Sequence, residues 1–167
     1  MKTVEIEIPI GYEIDKEKST FEKIVFKKIK NGWVDLGLPS GNLWKRVNEN
    51  GYFTYNDAVE KFKDNLPTII DFAELVQYCK WKWSSKSREM VVTGPNKNQI
   101  TFSAAGFRSK DNGLIYDNGI RGYYWSASPY PIFNDCAYYL YLGDGCVYPS
   151  DSETQRYQHS VRCVKHK

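Results

Sequence analysis

Apolar and polar residues alternate along most of this chain, and a helical period interrupts the alternation twice. Residues Thr3–Ile8 read TVEIEI, which puts Val4, Ile6 and Ile8 on one face of a strand that Pro9 and Gly11 close. Ser19–Ile29 alternates only in part, with Phe21 set apart from Ile24, Phe26 and Ile29; its Ile-Val-Phe run favours a strand over a helix. Asn31–Gly32 is a turn signal. Residues 1–30 therefore read as a small β appendage, a candidate assembly segment, in front of a main domain over 31–167.

In the main domain, Trp33–Asn48 predicts two short strands around a Pro-Ser-Gly turn. Two helices follow. Thr54 with Asp57, and Thr68 with Asp71, have the spacing of a capping box, with Asp in the usual Glu or Gln role. Behind the first cap, Ala58, Val59 and Phe62 form an apolar stripe; behind the second, Ile69, Phe72, Leu75, Val76 and Cys79 do so. This spacing makes Cys79 a core thiol. From Trp81 onward the pattern is β and loop. Met90–Thr93, a Gly-Pro-Asn turn and Gln99–Phe102 make a hairpin. The Gly- and Asn-studded run from Ala104 to Gly122 reads as an irregular connection with one apolar piece, Leu114–Tyr116. Four strands then close the chain: GYYWSAS, AYYLYL, CVYP and SVRCV. Two early helices in a largely antiparallel β chain predict an α+β domain.

The segment from Gly122 to Lys165 carries two interleaved vocabularies. On a strand over Ala137–Leu142, Tyr138, Leu140 and Leu142 point one way, and Tyr139 and Tyr141 the other. Past Gly143–Gly145, Val147 points inward between Cys146 and Tyr148. The expected hairpin packs its aliphatic side on the core and holds Tyr139, Tyr141, Cys146 and Tyr148 out to water. On that reading, replacing Tyr139, Tyr141 and Tyr148 by Ser leaves thermal unfolding nearly unchanged. Trp44 and Trp125 read as core residues, as do Trp81 and Trp83, which share a strand face. Arg156 and Arg162 are candidate braces for the loops.

Composition narrows the function. Aromatic residues make up 16% of the 167 residues, including 13 Tyr and 5 Trp, an excess that asks for a use. The net charge of +3 is too small to argue for a nucleic-acid partner, which calls for a basic face. No apolar run reaches the roughly 20 residues of a membrane helix, and the alternating acidic and apolar start is unlike a signal peptide. Cys79, Cys136, Cys146 and Cys163 include no CxxC pair, and His159 and His166 offer no ligand spacing, so neither metal nor cofactor is expected. Free thiols are the default, with a Cys136–Cys146 disulfide left open. There is no Ser/His/Asp set and no paired carboxylates on a scaffolded strand, so no catalytic residue is assigned.

WVDLGLPSGNLW at Trp33–Trp44, LPT and FAELVQYCKWKW within Leu66–Trp83, AAGFR at Ala104–Arg108, GYYWSAS at Gly122–Ser128 and SVRCVK at Ser160–Lys165 occur in this order. The combination resembles a family of gut-bacterial (Bacteroides-type) and phage domains with a C-type-lectin-like fold, which includes paralogous domains of Fibrobacter and the variable proteins of diversity-generating retroelements. The resemblance spans about residues 33–165; the first thirty residues resemble leaders of phage-encoded members. In such variable proteins adenines of a template are randomised, and Asn codons become any codon ending in a pyrimidine. The resemblance thus implies a variable region over about 122–165. Its ligand-binding face would comprise Ile132, Phe133, Asn134, Asp135, Cys136, Tyr139, Tyr141, Asp144, Cys146, Tyr148, Asp151, Ser152, Thr154 and His159. All of these belong to the permitted set, whereas Glu153, Gln155 and Gln158 do not. Cys136 and Cys146 would be chance draws. The implied function is non-catalytic recognition of a protein or glycan on a bacterial cell surface, from a phage tail or a cell surface, without membrane insertion; some members of the family trimerise, so a homo-oligomer stays open. Three alternatives stand beside it. One is an undiversified glycan-binding domain, although the Glu-Pro-Asn loop and Asn-Asp pair of calcium-dependent lectins do not occur here. The others are a structural domain of a surface protein, and a relative of the formylglycine-generating enzymes that share the lectin-like fold.

Overall fold

Two helices and a set of short antiparallel strands make an α+β structure, described by the computed structural model for residues 6, 8, 12–20, 23–28 and 32–167. Both helices start where the capping pattern places them. Helix α1 (Tyr55–Phe62) begins after Thr54, whose hydroxyl oxygen accepts the Asp57 N–H at 3.2 Å. Helix α2 (Ile69–Tyr78) begins with a reciprocal box: Asp71 N–H donates to the Thr68 hydroxyl at 3.3 Å and Thr68 N–H to the Asp71 carboxylate at 2.8 Å. Phe72 and Leu75 are buried, and Cys79, the residue that caps the helix, is buried with them.

Strands β1 (Tyr12–Ile14) and β2 (Phe26–Lys28) pair antiparallel as a sheet of their own. The strand expected over residues 3–8 lies outside the described residues except for Ile6 and Ile8, of which Ile8 is buried. Strands β3 (Trp33–Asp35) and β4 (Leu43–Lys45) flank the Pro-Ser-Gly turn. Strands β5 (Lys80–Ser84), β6 (Glu89–Thr93) and β7 (Gln99–Ser103) form a meander. The Ala104–Gly122 connection is more regular than its composition suggests, because it contains β8 (Phe107–Ser109) and β9 (Ile115–Tyr116). Gly106 makes that possible. Its φ is +68°, and a Cβ there would lie 1.9 Å from the Tyr116 carbonyl oxygen, so only glycine lets the two strands close together.

The last three long strands, β10 (Arg121–Pro129), β11 (Cys136–Gly143) and β12 (Cys146–Thr154), form a second meander. Strand β12 runs beyond the expected CVYP segment and absorbs one extra residue at Pro149–Ser150: Tyr139 faces Asp151 and Tyr141 faces Tyr148. Among the described residues no strand lies beyond β12. After it, β13 (Tyr157–Gln158) returns to pair with β8, and β14 (Val164–Lys165) pairs with β4, tying the end of the chain to the start of the main domain.

The β10–β11 sheet has a core on each face. One contains Trp44, Phe72, Leu75, Val92, Phe102, Tyr124, Leu140 and Leu142. The other contains Phe53, Tyr55, Leu66, Tyr123, Trp125, Ala137, Tyr139 and Val161. Trp44 and Trp125 are fully buried as expected, whereas Trp81 and Trp83 are only half-buried against the first core.

Candidate functional site

The strand period divides the hairpin residues as the sequence requires. Leu140 and Leu142 point into the first core, with half-buried Val147 opposite Leu142. Tyr139, Tyr141, Cys146 and Tyr148 share the other face. That face is not uniformly open, and here two expectations are corrected. Tyr139 is only 5% exposed, enclosed by Trp125, Tyr123 and His159, and its hydroxyl donates to Asp151 at 3.2 Å. His159 is fully buried. Its backbone exchanges hydrogen bonds with Phe53, and its ring stacks on Trp125 at 4.0 Å. Neither residue can touch a ligand. The reason is a second layer: chain segments distant in sequence lie over the inner half of the face.

The outer half is open. Tyr148 is 56% exposed and stacks on half-buried Tyr141 at 5.9 Å. The Arg121 guanidinium lies 5.9 Å from the Tyr141 ring, 3.3 Å from the Asp117 carboxylate. Tyr123 donates to the same carboxylate at 2.6 Å. Asp144 and Cys146 stand at the tip. Behind this tip a cavity of about 390 Å³ separates Asp144–Val147 from Trp81, Lys82, Trp83 and Met90.

The remaining expected residues gather at the opposite end of the hairpin. Ile132 and Phe133 are 68% and 58% exposed, and Phe133 stacks on Tyr130 at 6.1 Å. Asn134 and Asp135 are exposed beside half-buried Cys136, and the Gln155 N–H ties that loop to β12 by donating to the Asp135 carbonyl at 2.8 Å. Ser152 and Thr154 pair with Tyr138 and Cys136, and Asp151 is exposed between the two ends. The structure thus makes two patches joined through Asp151. It also closes the disulfide question: Cys136 pairs with Thr154 and Cys146 with Gly143, so roughly 23 Å of strand separates them, while a disulfide tolerates a Cα separation of about 7 Å at most. All four thiols are free.

Burial and neighbouring charges shift the titratable groups around this face. Burial, with Arg121 opposing it, raises the Tyr141 phenol; burial and the Asp117 carboxylate raise Tyr123 further, so both stay protonated near neutral pH. Desolvation and the neighbouring Asp135 raise the Cys136 thiol. Burial, then Asp151, raises Glu153. Burial drives the Cys79 and Cys163 thiols up to about 12. Among the described residues, no three His, Cys, Asp or Glu side chains gather as a metal site, and His166 bonds only to Asp71, at 3.1 Å.

Four exposed apolar residues beside this face escape a reading of the hairpin alone: Leu114, Ile115, Tyr116 and Ile120. Tyr116 stacks on Phe107 at 5.5 Å, and Phe107 meets Tyr123 at 5.1 Å, so they continue the aromatic path from Tyr148 and Tyr141. Apolar side chains among Asn, Asp and Gly turn residues were their sequence signal. Of the two candidate braces, Arg162 is buried and bonds four partners, whereas Arg156 is exposed.

Neither a curated protein nor a solved structure matches the chain. A family model described as a domain of unknown function, DUF8237, matches residues 75–164, from the end of α2 through the hairpin to β14. With more than half of its length inside that match, the chain belongs to the DUF8237 family.

Proposed function

We propose that the chain is a non-catalytic recognition domain with a C-type-lectin-like fold. Its C-terminal hairpin presents diversified residues to a protein or glycan on a bacterial surface, from a phage tail or a surface-display protein. One observation carries this reading: the split between scaffold and candidate positions follows the split between core and surface. Leu140, Leu142 and Trp125 are fully buried. Every candidate position other than Tyr139 and His159 reaches the surface, and Ile132, Phe133 and Tyr148 are the exposed large apolar ones among them. Large exposed aromatics on a stiff sheet give contact area with few rotors to freeze, which suits binding. The half-buried Trp81 and Trp83 add fixed aromatic surface behind the variable tip, so affinity and selectivity have separate sources.

The test is the DNA flanking the coding sequence. A near-copy of the stretch encoding Gly122–Lys165 that differs at adenines, beside a reverse transcriptase, is the expected finding. Absence of both sinks the diversification and leaves an undiversified binding domain. Binding is checked separately with Tyr148→Ser and Phe133→Ser, expected to abolish attachment to host cells without lowering the unfolding temperature.

A further inference from the structure

A second concavity lies away from the hairpin, and no residue between 109 and 159 lines it. It measures about 520 Å³, within the usual range for small-ligand sites. Its floor is Arg162, whose donors are all spent on neutral oxygens. The Nε and Nη2 groups donate to Asn48 Oδ1 at 3.0 and 2.6 Å, Nη1 to the Lys45 and Arg46 carbonyls at 2.9 and 2.7 Å, and Nη2 also to the Thr101 carbonyl. Asn48 is itself fixed, donating to Tyr124 and Ser103 at 3.0 and 2.9 Å. Arg162 is thus a rigid buried cation without a carboxylate bonded to it among the described residues. Burial pulls its pKa down to about 10, although Glu89 and Glu49 oppose the fall.

The wall is Arg108, with its guanidinium 5.2 Å from the Tyr52 ring centre. The Tyr52 hydroxyl is anchored on the Ala105 carbonyl at 2.5 Å. The Arg108 Nε is buried and has no hydrogen-bond partner among the described residues, an arrangement that a cationic donor rarely tolerates unless something else meets it. Two carboxylates also line the space. Glu49 is taken by the Lys45 ammonium at 2.5 Å, which leaves Glu89 against two guanidinium groups. The local balance is positive.

We propose that this cavity is a binding site for a small ligand bearing an oxyanion, a carboxylate or a phosphate group. Arg108 makes the direct contact, Tyr52 forms the wall, and Arg162 supplies a fixed positive field from the floor. Arg108 suits the role because its planar fork matches both groups, and its Nε is not committed to an acceptor among the described residues. The site is independent of the hairpin face and stands whether or not that face is diversified.

The experiment is a titration of the isotope-labelled full chain, followed by NMR at low salt. Inorganic phosphate, glucuronate and, as the neutral control, glucose are added separately. Saturable millimolar shifts in the amides of Asn48, Tyr52 and Arg108 are expected for one or both anions; which one responds identifies the source. Added salt should weaken the binding. Arg108→Gln should weaken it about tenfold or more, and Arg108→Lys should retain part of it. If Arg108→Gln does not fold, Arg108→Lys and the glucose and salt comparisons on the wild type decide the matter. Glucose binding as well as glucuronate, Arg108→Gln binding unchanged, or no saturable shift with either anion overturns the proposal.

Discussion

His159 offers a measurement whose size follows from the structure. Its imidazole is fully buried between Trp125, Tyr139, Tyr123 and Phe107, and neither ring nitrogen has a hydrogen-bond partner among the described residues. The hydroxyls of the flanking Tyr123 and Tyr139 are turned to Asp117 and Asp151, respectively. No hydrogen bond or ion pair among the described residues therefore stabilises the imidazolium, and burial pushes the pKa from 6.5 down to about 3. Because the folded value is the lower one, the unfolded chain binds this proton first as pH falls. The contribution is fully present above pH 6.5, shrinks as pH drops, and is gone by about pH 3. At pH 5 the unfolded state has gained about 1.5 pH units of protonation, or about 2 kcal/mol.

The assay is urea unfolding of the wild type and His159→Leu at pH 7 and pH 5. Other groups titrate alike in both proteins, so the wild type should lose about 2 kcal/mol more than the variant over this interval. At pH 7 the variant should be at least as stable as the wild type, since it removes an unsatisfied buried polar ring. The His159 Cε1–H resonance should stay flat between those pH values. Equal losses in the two proteins, or a resonance that titrates near pH 6, would show that the ring is hydrated or charged and that the second core does not enclose it.

Tyr139→Ser should cost roughly 3 kcal/mol, whereas Tyr148→Ser should stay within about 0.5 kcal/mol; equal changes in thermal midpoint would contradict the burial of Tyr139. Thiol titration of the unfolded, unreduced protein should find all four cysteines reactive, and a count of two would mean a disulfide that the strand register forbids. Gly106→Ala should destabilise by several kcal/mol, because the new methyl meets the Tyr116 carbonyl and the left-handed backbone is strained; a melting temperature within a degree of wild type would contradict that contact. Trp83→Ala should weaken host attachment while leaving the Arg108 titration unaffected; a matched loss in both would point to general misfolding.

The parts of the fold that depend on near neighbours were legible in the sequence. Thr54 with Asp57 and Thr68 with Asp71 announce both helix starts, and alternation assigns Leu140 and Leu142 to the core. Alternation also places Tyr139 on the face it occupies, but a period of two says nothing about what covers a face. Tyr139 is flanked by its cross-strand partner Trp125 and covered by His159, 20 residues away in the chain, and only the folded arrangement brings them together. The oxyanion cavity was illegible for the same reason. Its floor, wall and carboxylates come from the β4–α1 connection, β6, β8 and the run before β14, and no spacing within one segment points to it.

The extra residue at Pro149–Ser150 has a further consequence. Among the described residues strand β12 has no strand paired on its outer side, although helix α2 lies beside it, and a sheet edge of this kind is a template for pairing with another chain. Proline withholds one amide donor there, and the irregular step bends the border away from the straight line that a second molecule would need. An exposed aromatic face thereby sits on a frame that resists sticking to itself.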